Sequence, residues 1–153
     1  MYAIETADLI DLPTVKRLNA FLKIDVEGFY WDTAPYIETA IREGRCFVIR
    51  PDRAIRGCMI IEKRPPDKNF GKDHLAIGSL SVHPDFRNGN MGALLVGFAK
   101  AMAREEKKRL YVESFYEFRK TAFYKARGFT ETTSKAYNGK PYHVLYVGPG
   151  ESP

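Results

Sequence analysis

Cysteine is scarce in this sequence. Among 153 residues there are two, Cys46 and Cys58, too few for a disulfide framework and, without histidines at ligand spacing beside them, too few for a structural zinc site. They read as reduced core thiols; if they lie on paired strands, register decides whether they face each other. Long apolar runs are also missing. No segment approaches the unbroken length that a bilayer requires, and Met1 to Ile10 has neither the basic start nor the apolar stretch of a signal peptide. The expectation is a cytoplasmic protein without a membrane partner. Repeats, low-complexity tracts and linkers are absent, which predicts a single domain over residues 1–153 with a frayed tail at 148–153.

What is present is the composition of a globular protein with one core: 44% hydrophobic, 13% aromatic and 28% charged residues. The net charge of +5 suits nucleic acid, an anionic cofactor or a solvated basic surface. The basic residues are scattered and no recognition helix or RNA motif occurs, so a nucleic-acid partner is not expected.

Periodicity predicts the order β-α-α-β-β-β-α-β-α-β-β, a mixed α/β class. Tyr2 to Thr6 reads as a strand and Asp8 to Phe21 as a helix, with Leu12, Val15, Leu18 and Leu22 at helical spacing. Pro35 opens a second helix that Gly44 stops. Cys46–Arg50 and Ile55–Arg64 form a hairpin, and His74 to Val82 a strand closed by Pro84. Met91, Leu94, Leu95, Phe98 and Met102 mark one face of a helix ending at Glu106. Leu110–Ser114 is a strand and Phe115–Arg127 a helix. Phe129–Ser134 and Tyr142–Val147 pair around Asn138-Gly139.

Two features point to chemistry. Between a strand end and a helix start lies Phe86-Arg87-Asn88-Gly89-Asn90-Met91-Gly92-Ala93, where the unpaired amides of a first helical turn suit a pyrophosphate. Gly89 and Gly92 let backbone approach a ligand, and Asn88 and Asn90 tolerate left-handed conformations. The segment lacks the Lys-Ser/Thr ending of a P-loop and the first glycine pair of a dinucleotide fingerprint. In the helix predicted at Phe115–Arg127, Phe115, Phe118, Ala122 and Ala126 form the core face. Glu117, Lys120 and Tyr124 line the opposite side, leaving an aromatic the core does not explain.

The run Ile77-Gly78-Ser79-Leu80-Ser81-Val82-His83-Pro84-Asp85-Phe86-Arg87-Asn88-Gly89-Asn90-Met91-Gly92-Ala93-Leu94-Leu95 resembles motif A of the GCN5-related N-acetyltransferases (GNAT), and Phe123-Tyr124-Lys125-Ala126-Arg127-Gly128-Phe129 resembles their motif B. The element order is similar to theirs too. The resemblance implies a GNAT-like fold: a central, mostly antiparallel sheet with a splayed strand pair and flanking helices. It implies acetyl-CoA as co-substrate and no metal. Leu80, Ser81 and Val82 would pair with the pantetheine arm, and Arg87, Asn88, Gly89, Asn90, Met91, Gly92 and Ala93 would hold the pyrophosphate. Asn90 stands where the family pattern has its middle glycine, and Gly89 compensates by one place. Lys120 would meet a phosphate, and Tyr124 would protonate the departing thiolate as general acid.

Some family members carry a glutamate base where this chain has Ala76; Glu113, Glu62, His74, Asp25 and Glu27 are the substitutes, with an ordered water as the remaining choice. The acceptor, a small-molecule or peptide amine, is placed against Phe29, Tyr30 and Trp31, where aromatics alternating with acids suit a cation. A non-catalytic CoA-binding module is the alternative, and the sequence leaves open whether the protein is a homodimer.

Overall fold

The computed structural model describes residues 3–66, 71–87 and 89–148. Among them the elements run β1 (Ile4–Thr6), α1 (Leu12–Ala20), α2 (Ala34–Arg42), β2 (Cys46–Ile49), β3 (Gly57–Arg64), β4 (His74–Val82), α3 (Met91–Glu106), β5 (Arg109–Phe115), α4 (Thr121–Lys125), β6 (Thr130–Tyr137) and β7 (Lys140–Val147). This is the predicted order. The described strands form one seven-stranded sheet, β1-β2-β3-β4-β5-β7-β6. Every pair is antiparallel except β4–β5, which is parallel, because α3 carries the chain back to the start of the next strand.

Helices cover both faces of the sheet, so β2 and the first five residues of β3 are apolar and buried throughout rather than alternating with polar residues. Phe47, Ile49, Met59 and Ile61 pack with Leu95, Val96 and Ala99 of α3. Cys46, Val48, Cys58 and Ile60 pack on the other side with Val15 and Leu18 of α1 and Ile37 and Ile41 of α2. Both cysteines are free and buried. They lie on paired strands, but Cys46 is opposite Ile60 and Cys58 opposite Val48, so register keeps them apart. Burial pushes the Cys46 thiol up to about 12, which leaves it unreactive at neutral pH.

Three local expectations need correction. Phe115 to Arg127 is not one helix: Phe115 ends β5, Tyr116–Phe118 is a 3-10 turn, and α4 has five residues. The break falls at Arg119, whose left-handed backbone (φ 52°) cannot continue a right-handed helix. The Glu117–Lys120–Tyr124 stripe therefore does not exist, and Ala122 and Ala126 are exposed rather than core. The helix expected from Asp8 is a 3-10 turn, Leu9–Asp11, followed by a shorter α1. Finally, β6 and β7 are longer than expected and meet at Asn138-Gly139, whose positive φ angles of 47° and 88° make the tight turn that twisted hairpins prefer. Most of the expected tail, 149–153, lies outside the described residues, as does residue 2, the first of the expected Tyr2–Thr6 strand.

Candidate active site

β4 and β5 begin as partners and then part. Their ladder joins His74–Ile77 to Arg109–Val112 and stops, although β4 continues to Val82 and β5 to Phe115. The cause sits at Gly78. On the other edge of β4, Ile61 pairs with Ile77 but Ile60 with Ser79, so Gly78 is an extra, bulged residue, and a bulge bends its strand. A Cβ there would overlap the Tyr36 hydroxyl and the Glu62 carboxylate as they are placed, so a larger residue would have to displace those two side-chain ends. From Gly78 to Val82 the edge facing β5 has no strand partner, and a cleft of about 600 Å³ opens between the two strands.

At the Val82 end of this cleft the chain turns into α3. Asn90 precedes the helix in the left-handed region, φ 68° and ψ 0°, so the left-handed conformation falls on Asn90 and not on Gly89. The Leu94 amide bonds the Asn90 carbonyl, leaving the first-turn amides of Met91, Gly92 and Ala93 without helical partners. Arg87 folds back, its Nε donating to the Val82 carbonyl at 3.1 Å. Arg127 stacks on the Phe123 ring, with its guanidinium carbon 3.9 Å from the centroid, and Nη1 donates to the Phe123 carbonyl at 2.7 Å. Its Nε is buried and has no hydrogen-bond partner among the described residues. Arg87, Lys120 and Arg127 all line the cleft. Free amides, a splayed edge and three lining cations fit a long, polyanionic ligand.

Tyr124 is 5% exposed and belongs to the core cluster with Leu95, Val96 and Phe129, contrary to the expectation of a side chain turned away from the core. It also lines the cleft. Burial raises its pKa well above the ordinary value near 10, so the phenol keeps its proton at neutral pH.

At the Gly78 end the walls are aromatic. Tyr30 stacks on Trp31 at 4.2 Å, and Trp31 meets Phe115 edge-on at 5.8 Å and Tyr137 at 5.6 Å. Burial, reinforced by Glu62, pushes Tyr30 up to about 12. The floor is a charged chain: the Tyr36 hydroxyl donates to Glu62 at 2.8 Å, Glu62 pairs with Arg64 at 2.6 Å, and Arg64 pairs with Glu113 at 3.0 Å. Burial works against the Arg64 charge, and Glu113 and Glu62 more than offset it, raising its pKa above the ordinary value.

Of the residues expected to hold the cofactor, Leu80, Ser81, Val82, Arg87, Asn90, Gly92, Ala93 and Lys120 line the cleft. The Met91 side chain is core instead, 2% exposed, so only its backbone faces the turn. Gly89 does not line the cleft, and Asn88 lies outside the described residues. Phe29, Tyr30 and Trp31, expected to meet the acceptor, line the cleft at its aromatic end. The acids expected beside them do not: Asp25 and Glu27 are exposed outside the cleft lining, and Asp32 pairs with Lys23 at 3.9 Å. Among the substitute bases, His74 is 1% exposed and packs on Tyr111, Glu62 is held by Tyr36 and Arg64, and Glu113 alone lines the cleft. Sequence reasoning missed Arg64, Tyr137 and Tyr142, which no local motif flags because each reaches the cleft from a different strand, and Arg127, a variable position within the Phe123–Phe129 motif.

Residues 14–129 match the acetyltransferase (GNAT) family. Against curated proteins the sequence finds no match. Among solved structures, Naa50 of Arabidopsis thaliana in complex with the bisubstrate analogue CoA-Ac-MVNAL superposes with a TM-score of 0.76 at 18% identity, covering 96% of this chain and 98% of that one. The ribosomal-protein-S18-alanine N-acetyltransferase of Escherichia coli gives 0.71 at 15%, covering 99% and 97%. N-acetylglutamate synthase of Neisseria gonorrhoeae, complexed with coenzyme A and N-acetyl-glutamate, gives 0.76 at 19%, covering 95% of this chain and 34% of that one. At such identities the likeness shows the fold; the family match over 14–129, carrying both the splayed strand and Tyr124, makes this chain a member of the GNAT acetyltransferase family.

Proposed function

We propose that the protein transfers the acetyl group of acetyl-CoA to the primary amine of an acceptor by direct attack, with Tyr124 as general acid. The observation that carries this reading is one cleft that joins free helical amides and the lining cations Arg87, Lys120 and Arg127 to a carboxylate, Glu113, among aromatic rings.

Bound there, acetyl-CoA supplies the acetyl thioester. The unpaired edge from Gly78 to Val82 pairs with the pantetheine arm as a missing strand would, and a backbone amide near Leu80 to Val82 holds the carbonyl oxygen as negative charge develops on it. The aromatic end excludes water and aligns a neutral amine with the carbonyl carbon. As the new C–N bond forms and the C–S bond breaks, Tyr124 gives its proton to the sulfur, and the proton lost by the nitrogen passes to water. Tyr124 is afterwards reprotonated from solvent, favoured by its raised pKa.

Acetyl-CoA should raise the melting temperature at concentrations above its dissociation constant, and thiol release should follow on addition of an amine. No thermal shift with millimolar acetyl-CoA sinks the reading. A non-catalytic CoA-binding module is the second reading, favoured by Ala76, which is fully buried where some relatives carry a glutamate. Binding without thiol release across a broad amine panel would establish it.

A further inference from the structure

We infer that the acceptor is an amine bearing a single positive charge on an apolar, ring-sized body, with no carboxylate beside the amine; this rests on the proposed function. The charges at the Gly78 end are few and their pairing is explicit. Arg64 uses Nε and Nη2 on Glu62 Oε1, at 3.0 and 2.6 Å, and Nη1 on Glu113 Oε1 at 3.0 Å. Two carboxylates around one guanidinium leave one negative charge in excess. Glu62 is further occupied by the Tyr36 hydroxyl, so the excess is presented at Glu113, whose side chain is 31% exposed and which lines the cleft.

An amine acceptor arrives mostly as an ammonium, and Glu113 offers it a partner before it loses its proton and attacks. A carboxylate on the acceptor finds the opposite. Arg64, which lines this end, is already shared between two acids, so an acidic group would face Glu113 with no unshared guanidinium beside it. The walls decide the rest of the acceptor. Tyr30, Trp31, Phe115, Tyr137 and Tyr142 present rings and one apolar chain of contacts around the carboxylate, and rings favour both an ammonium and an apolar body.

The mouth limits size. The Tyr137 hydroxyl and the Asn138 side-chain amide donate to the backbone carbonyls of Gly28 and Glu27, each at 2.6 Å. The β6–β7 turn thus lies across the acceptor end, joined to the loop that carries Tyr30 and Trp31. A free amine or a chain end passes under this clasp more readily than a lysine on the surface of a folded protein.

Three acceptors of one shape separate the terms: 2-phenylethylamine, phenylalanine amide and phenylalanine, each incubated with the full-length protein and acetyl-CoA while free thiol is followed. The expected result is a kcat/KM for the first two at least about tenfold above that for phenylalanine. Glu113→Gln should raise the KM for 2-phenylethylamine about tenfold and narrow its advantage over phenylalanine, with an unchanged acetyl-CoA dissociation constant showing that the variant is folded. Equal or better turnover of phenylalanine overturns the inference. So does a Glu113→Gln variant with an unaltered ratio, or bound acetyl-CoA with no turnover of any of the three. Failure to bind acetyl-CoA at all is a separate outcome that removes the cofactor site itself, and the inference with it.

Discussion

The Tyr137 hydroxyl donates a 2.6 Å hydrogen bond to the Gly28 carbonyl oxygen, 109 residues away in the chain. That bond closes the aromatic end of the cleft, and Gly28 is built for it: its φ is +81°, and a Cβ there would lie 2.8 Å from the Tyr137 oxygen. Tyr137→Phe should raise the KM for the amine by about threefold to tenfold, the worth of one hydrogen bond, and leave acetyl-CoA affinity unchanged. Steady-state kinetics with each substrate varied in turn checks it. Gly28→Ala combines backbone strain with the overlap and should cost about 1–2 kcal/mol, seen as a melting temperature about 2–8 °C lower.

Tyr124→Phe keeps the ring in its core site and removes only the hydroxyl. A lost general acid slows the chemical step by about 10²- to 10⁴-fold, so kcat should fall by that order. The acetyl-CoA dissociation constant, read by titration, should move less than about twofold.

The pH profile follows from the same burial. A general acid works in its protonated form, and burial raises the folded-state pKa of Tyr124 above its ordinary value. Activity that depends on this proton is therefore complete at neutral pH and is lost only as pH rises through the elevated pKa. No descending limb of kcat assignable to Tyr124 should appear below about pH 10. A descending limb below that point which disappears in Tyr124→Phe would refute the raised pKa of the phenol.

Asn19 of α1 is fully buried and uses its whole side chain. Nδ2 donates to the Trp31 carbonyl at 2.8 Å and to Ser79 Oγ at 3.2 Å, and Oδ1 accepts from Ser81 Oγ at 2.8 Å and Cys58 Sγ at 3.5 Å. It ties the splayed half of β4 to the loop that carries the acceptor-facing rings. Asn19→Leu, similar in volume, strands those partners in the core and should cost about 2–4 kcal/mol in urea denaturation. Acceptor KM should rise in whatever fraction remains folded.

Asn90 holds the left-handed corner before α3 with φ 68°. Asn90→Gly should preserve or slightly improve acetyl-CoA affinity, since glycine adopts this region freely. Asn90→Ala should cost about 1 kcal/mol of stability and weaken acetyl-CoA binding by about fivefold. Titrations of the two variants side by side decide it.

Much of this architecture is readable in advance because it is local. The apolar spacing of Met91 to Met102 and the Asn138-Gly139 turn each describe their own surroundings, and the corresponding helix and hairpin form where expected. The turn into α3 is local for the same reason: an asparagine that tolerates a positive φ, with a glycine two places on in the first helical turn, is written within three residues. The stretch Phe115 to Arg127 was misread because its apolar spacing fits a helix, whereas the left-handed turn at Arg119 and the pull of Phe115 into β5 come from pairing with β7.

The sequence by itself determined the order of elements, the helix-opening turn at Asn90 and the motif that carries Tyr124, since each depends on neighbours within a few residues. Only the tertiary structure decided that Tyr124 is both core and cleft wall, that Gly78 is the bulge that parts β4 from β5, and that Glu113 and not Asp25 or Glu27 brings an acid to the aromatic end of the cleft. Those facts depend on which side chains meet across strands far apart in the chain. A Cβ at Gly78 would meet the side-chain ends of Tyr36 and Glu62, and Glu113 is paired with an arginine 49 positions earlier, on β3.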